Sequence, residues 1–236
     1  MKSLSEAQER KAMEIYKQAI VIDSLNASIL DEEYLEKIRQ GGITVTNYTI
    51  ALNQNLSETV KKIAEIYHTI DKSKIATLIE CTADIKETKK AGKTGIIMGF
   101  QSVGPLEADL GLLDIYHKLG VRIIQLTYHY KTVCGDGCKE PGNSGLSLFG
   151  KDMIKKMNEL GMVVDLAHVG ERTELDAIDF SRHPVIASHS NIYSLLPEPQ
   201  NKKDEMIRAL AEKGGVIGIT GFPRLVEPNP TLDHLI

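Results

Sequence analysis

Short apolar, β-branched runs alternate along the chain with longer stretches whose apolar residues recur every three or four positions. The short runs predict strands at 19–23, 43–50, 94–100, 122–126, 162–167, 185–188 and 216–219. The longer stretches predict helices at 31–39, 57–68, 82–90, 108–119, 147–160, 171–181 and 202–213. The charged N-terminal run Ser5-Glu-Ala-Gln-Glu-Arg-Lys is helix-like as well. Several helices run into glycine (Gly41-Gly42, Gly92, Gly120, Gly161 and Gly214-Gly215), which supplies the left-handed conformation that ends a helix. Strand–helix alternation at a spacing of roughly 25–30 residues predicts an α/β fold, a (β/α)8 TIM barrel. The count stops one helix–strand unit short of eight. The expectation is therefore a single barrel domain over 1–236, lacking its last unit within this chain.

Composition narrows the class only a little. With 42% hydrophobic and 25% charged residues, the 236-residue chain is an ordinary globular one. A net charge of −4 favours neither nucleic acid nor an anionic membrane as partner. No apolar run approaches the ~20 residues of a membrane span, and the N-terminus lacks the apolar core of a signal peptide. Three cysteines do not suggest a disulfide framework, so a reducing cytoplasm is the expected compartment. Without tryptophan, the core must rest mainly on Ile, Leu, Val and Ala.

The chemistry concentrates at two strand ends. His168 closes Gly161-Met-Val-Val-Asp-Leu-Ala-His168 and His189 closes Pro184-Val-Ile-Ala-Ser-His189. If these runs are parallel neighbours, both imidazoles emerge at the C-terminal mouth of the barrel, where barrel chemistry resides, and imidazole is a preferred zinc ligand. Gln101, after the strand at 94–100, points into the same mouth as a polar pocket residue or a weak neutral ligand. The remaining histidines, His129 among them, read as solvated. Cys134 and Cys138 read as loop thiols and Asp136 as a turn residue, all in the long irregular stretch 128–147. The run Lys202-Lys-Asp-Glu reads as a helix start. Asp165 is a poor metal ligand, because strand alternation sets it apart from His168.

These residues also carry a resemblance. Gly150 to His168, then His183-Pro-Val-Ile-Ala-Ser-His189-Ser-Asn191, then Ala211-Glu-Lys-Gly-Gly-Val-Ile-Gly218, closely resemble the membrane (renal) dipeptidase family, zinc metallopeptidases on an amidohydrolase-like barrel. The likeness runs from about Ile20 to the C-terminus. It implies a site that cleaves the amide bond of a dipeptide with a metal-activated water. His168 and His189 match the ligands of one metal. The ligands of the second metal align with Leu25 and Ala27, and the bridging glutamate aligns with Gln101. The arginine that holds the substrate carboxylate aligns with Gln200, and the histidine that steadies the oxyanion aligns with Tyr128, whose hydroxyl still donates a hydrogen bond. The combination of changes looks like a divergent bacterial branch.

The resemblance thus implies a metal-dependent hydrolase of a dipeptide or related small amide. Its cofactor is expected to be zinc, one ion rather than two, and its partner a small-molecule substrate, with a homodimer as an open expectation. Two other classes compete: a one-metal hydrolase or lyase on the same barrel with a non-peptide substrate, and a degenerate, non-catalytic binding protein.

Overall fold

The computed structural model describes residues 4–235. Helix α1 (Glu6–Gln18) starts at a reciprocal capping box between Ser5 and Gln8. It is followed by β1 (Ile22–Asn26), α2 (Glu32–Gln40), β2 (Val45–Ala51), α3 (Leu56–Lys72), β3 (Ala76–Leu78), α4 (Thr82–Ala91) and β4 (Thr94–Phe100). The second half comprises α5 (Gly111–Lys118), β5 (Val121–Gln125), α6 (Leu148–Leu160), β6 (Val163–Asp165), α7 (Glu171–Phe180), β7 (Ile186–Ser190), α8 (Asp204–Glu212), β8 (Val216–Ile219) and the single turn α9 (Pro223–Val226). Gly92 and Gly161 cap α4 and α6 with φ of +63° and +71°, as their positions after helical periodicity predict.

All ladders are parallel, and their path is β1-β2-β4-β5-β6-β7-β8. Those seven strands are the seven read from the hydrophobic pattern. The sheet curls into a nearly closed barrel with helices on its outside, a (β/α)8-type architecture. An eighth strand, β3, escapes the sequence pattern. It runs beside residues 94–96 of β4, on the edge that β5 takes over from residue 98. Three residues directly beyond α3, with no glycine before them, leave too short a signal for periodicity to register.

Two further expectations need correcting. The helix read as 108–119 begins at Gly111, because Glu107 and Ala108 adopt positive φ (48° and 58°) after a 3-10 turn at Gly104–Leu106. Lys202, read as part of a helix start, is instead fully buried ahead of α8, where its ammonium pairs with Glu174 at 2.6 Å. Among the described residues no ladder joins β8 to β1. Their neighbourhood is bridged by Ser24 Oγ, which donates to the β7 carbonyl of Ser188 at 2.7 Å.

Candidate active site

Parallel β6 and β7 lie side by side, so the residues just past or at their C-terminal ends share one mouth. The Nε2 atoms of His168 and His189 face each other at 2.8 Å. His189 is oriented from behind: its Nδ1 lies 2.8 Å from Ser188 Oγ, and that hydroxyl donates to Asp165 at 2.5 Å. A hydroxyl that gives its proton to a carboxylate accepts one from the imidazole. The relay therefore sets the proton on Nδ1 and the lone pair on Nε2. The other Asp165 oxygen accepts from the backbone N–H groups of Ala167 and Ser188. Asp165 thus ties the ends of β6 and β7 together from beneath the histidine pair. His168 has no such support, and its buried Nδ1 finds no partner among the described residues.

The pair opens into a cavity of about 380 Å³, the size range of small-molecule sites. Leu25, Ala27, Gln101, Tyr128 and Gln200 all line it, so the five positions that the family resemblance pointed to reach the same space as the histidine pair. Leu25 and Ala27 stand two apart, on one side of the strand end. They make that wall apolar. Gln101 gives an amide hydrogen to Thr49 at 2.9 Å. Gln200 is buried and donates its amide N–H to the carbonyl of His189 at 3.0 Å. The Tyr128 ring packs 4.3 Å, centroid to centroid, from His168, and its hydroxyl has no hydrogen-bond partner among the described residues. A larger cleft of about 460 Å³ between β2 and α3 holds neither histidine nor cysteine.

Sequence reasoning missed seven of the lining residues, four of them titratable: His129, Lys139, Glu198 and Arg224. His129 is the correction that matters most. It is half-buried, with its ring centroid 4.5 Å from that of His168 and its backbone at φ +63°. The only available signal was its place next to Tyr128 in a long loop on the barrel's catalytic face. That loop is stitched to the site. Thr127 Oγ1 and Cys138 N–H both donate to the His168 carbonyl, at 3.1 and 2.8 Å, and Lys139 N–H donates to that of His129 at 2.7 Å. Gly137 lies so close to the His129 backbone that a Cβ has no room. Asn191 and Asn201 hold the opposite wall, each donating to the Leu225 carbonyl at 3.0 Å and thereby fixing the segment that carries Arg224.

Electrostatically the cavity keeps its imidazoles neutral. Burial, reinforced by His189 and His129, pushes the His168 pKa down to about 2. Burial with Lys139 and Arg224 pushes His129 down to about 4. Burial also lowers His189, opposed by Asp165. Neutral imidazole is the form that offers a lone pair. Among the described residues, no third His, Cys, Asp or Glu joins the histidine pair in a metal-sized cluster. The cysteines stand apart as free thiols, Cys134 buried against Met153. Asp136 is buried and receives the Ser144 N–H at 2.6 Å, a loop-holding role like the one read from its setting between two glycines.

Residues 9–236 match a family model described as membrane dipeptidase (peptidase family M19). Dipeptidase tcpJ of Claviceps purpurea is 31% identical over 215 residues, covering 87% of this chain and 48% of that protein. The chain therefore spans about half the length of this curated relative. A crystal structure of an amidohydrolase from Pseudomonas aeruginosa superposes with a TM-score of 0.90 at 35% identity, covering 94% of this chain and 69% of that one. A metallopeptidase from Rhodobacter sphaeroides, solved with a phosphinate mimic of the dipeptide L-Ala-D-Ala, has a TM-score of 0.82 at 17% identity, covering 92% and 81%. At that identity it speaks for the fold alone.

Proposed function

From the premise that the chain belongs to the membrane dipeptidase family, peptidase family M19, we propose that it is a metal-dependent hydrolase of a dipeptide or closely related small amide, working with one zinc-type ion held by His168 and His189. The observation behind this reading is the convergence of two neutral imidazole nitrogens, 2.8 Å apart, on a cavity of dipeptide size.

The donor set among the described residues allows at most one ion, with two protein ligands where zinc usually has three or more. His168 and His189 supply two good nitrogen ligands, whereas Leu25 and Ala27 supply none and Gln101 brings no charge. A zinc-type ion, when bound, polarises the scissile carbonyl and brings the pKa of a bound water near neutrality. The chain's own groups do the rest. The Asp165–Ser188 relay keeps the His189 Nε2 lone pair turned to the cavity. Tyr128 offers its unpartnered hydroxyl to the developing oxyanion, a role that depends on its packing against His168. Leu25 and Ala27 give the cavity an apolar stretch of wall that carries no ligand. Gln200, spent on the His189 carbonyl, holds that strand end and leaves carboxylate binding to another group.

The similarity to a dipeptidase of Claviceps supports the substrate class. The test is amine release from a dipeptide panel after zinc reconstitution. Activity that is abolished in His168→Ala and reduced about 10²-fold in Tyr128→Phe, the scale of losing one oxyanion donor, supports the proposal. Undiminished turnover in His168→Ala refutes it. A reducing cytoplasm is the compartment this reading favours; no helix is long and apolar enough to cross a membrane among the described residues.

A further inference from the structure

The charges around the cavity do not balance. Its lining carries two cations, Lys139 and Arg224, against one carboxylate, Glu198. Glu198 stands 3.7 Å from Arg224, whose side chain is largely exposed at the rim. Lys139 is different. It is half-buried, and its ammonium has no ion pair and no side-chain hydrogen bond among the described residues. Its backbone is held rigidly by the Lys139 N–H to His129 bond at 2.7 Å and the adjoining Cys138 N–H to His168 bond at 2.8 Å. A half-buried charge without a counter-ion is costly, and an incoming anion relieves that cost.

We propose that Lys139 is the carboxylate anchor of this cavity, so that the substrate is a small amide bearing one free carboxylate, with that carboxylate on Lys139 and the amide at the histidine pair. Two of the polar alternatives are already engaged. Gln200 gives its amide hydrogen to His189, and Arg224 faces Glu198. The Leu25 and Ala27 wall offers no donor. Lys139 stands on the loop that is tied to both His129 and His168, so the backbone that carries the anchor is fixed relative to the imidazoles. A lysine binds carboxylate as a point charge through three rotatable donors, which tolerates substrates of differing length better than a guanidinium fork.

The inference rests on the hydrolase reading for the bond that is cleaved, but its test separates the two. Zinc-loaded protein is compared on L-alanylglycine and on L-alanylglycinamide, whose terminal carboxylate is neutralised, by amine release and by calorimetric binding. Wild type is expected to favour the carboxylate form at least about tenfold in kcat/KM and in Kd, the scale of one charge-assisted hydrogen bond. Lys139→Met should raise KM for L-alanylglycine by about that factor with kcat nearly unchanged, leave the glycinamide unaffected, and so erase the preference; Lys139→Arg should keep most of it. Turnover with equal preference in wild type and Lys139→Met overturns the anchor and leaves the hydrolase reading standing. Lys139-dependent binding of L-alanylglycine without turnover upholds the anchor and refutes the hydrolase. No binding of either compound overturns the anchor as well.

Discussion

His129 holds a φ of +63°, a region that non-glycine residues avoid, and its ring lies against His168 with a pKa pushed down to about 4. Because burial is the main cause, its proton inventory is linked to stability. The unfolded chain protonates His129 near its ordinary value of 6.5, whereas the folded chain resists until about 4. Folding stability contributed by the neutral ring is therefore complete above pH 6.5 and is lost as pH falls toward 4; His168, pushed down to about 2, adds in the same direction. Chemical denaturation of the metal-free protein should show a falling midpoint between pH 6.5 and 4.5, flattened in His129→Gln. A midpoint independent of pH in that window contradicts the assignment. The buried pair of Lys202 and Glu174 makes a second residue-scale prediction. Lys202 Nζ lies 2.6 Å from both the Glu174 carboxylate and the Leu166 carbonyl, with both side chains almost fully enclosed. Glu174→Ala strands a buried ammonium and should cost about 3–5 kcal/mol of unfolding free energy, while Glu174→Leu with Lys202→Met should recover much of it.

Among the elements, β6, β7 and the loop between β5 and α6 make the site, and they were legible to different degrees. The two strands announced themselves as apolar runs ending in histidine, because a parallel barrel strand is buried on both faces and carries its chemistry at its C-terminal end. Leu25, Ala27, Gln101, Tyr128 and Gln200 were placed by alignment to a resembling family, and all of them line the cavity. The loop resisted reading for a physical reason. Its conformation comes from tertiary bonds, such as Cys138 N–H to the His168 carbonyl and Thr127 to the same oxygen, which leave no periodic trace in the sequence. Hence His129 read as a solvated residue, and Lys139 drew no notice. β3 was missed because it is only three residues long. The relay behind His189 is an element-scale prediction, since Asp165 belongs to β6 and Ser188 to β7. Ser188→Ala removes the acceptor that fixes the imidazole and should weaken zinc affinity about 10–100-fold, read by competition with a chelating dye. An affinity equal to wild type contradicts the relay.

At the scale of the whole molecule, the barrel's interior is knitted across strands by polar side chains, including Thr46 to Asp23, Asn47 to the Ser24 carbonyl and Gln125 to the Gln101 carbonyl. Among the described residues one gap remains, between β8 and β1. On β8, Val216 and Ile219 are 62% and 55% exposed. Apolar side chains along an unpaired strand edge promote association. Sedimentation of the 236-residue chain should therefore show self-association that Val216→Lys with Ile219→Lys reduces. A monomer with a sharp cooperative melt contradicts this. The central claim, though, concerns the cavity that this frame supports: we propose that His168 and His189 hold one metal ion and that Leu25, Ala27 and Gln101 leave no second site. Metal content of the zinc-reconstituted protein, measured by plasma mass spectrometry after gel filtration, tests it most directly. The prediction is about one zinc per chain, lost in His168→Ala and in His189→Ala. Two tightly bound ions per chain, or one that survives both substitutions, would contradict it.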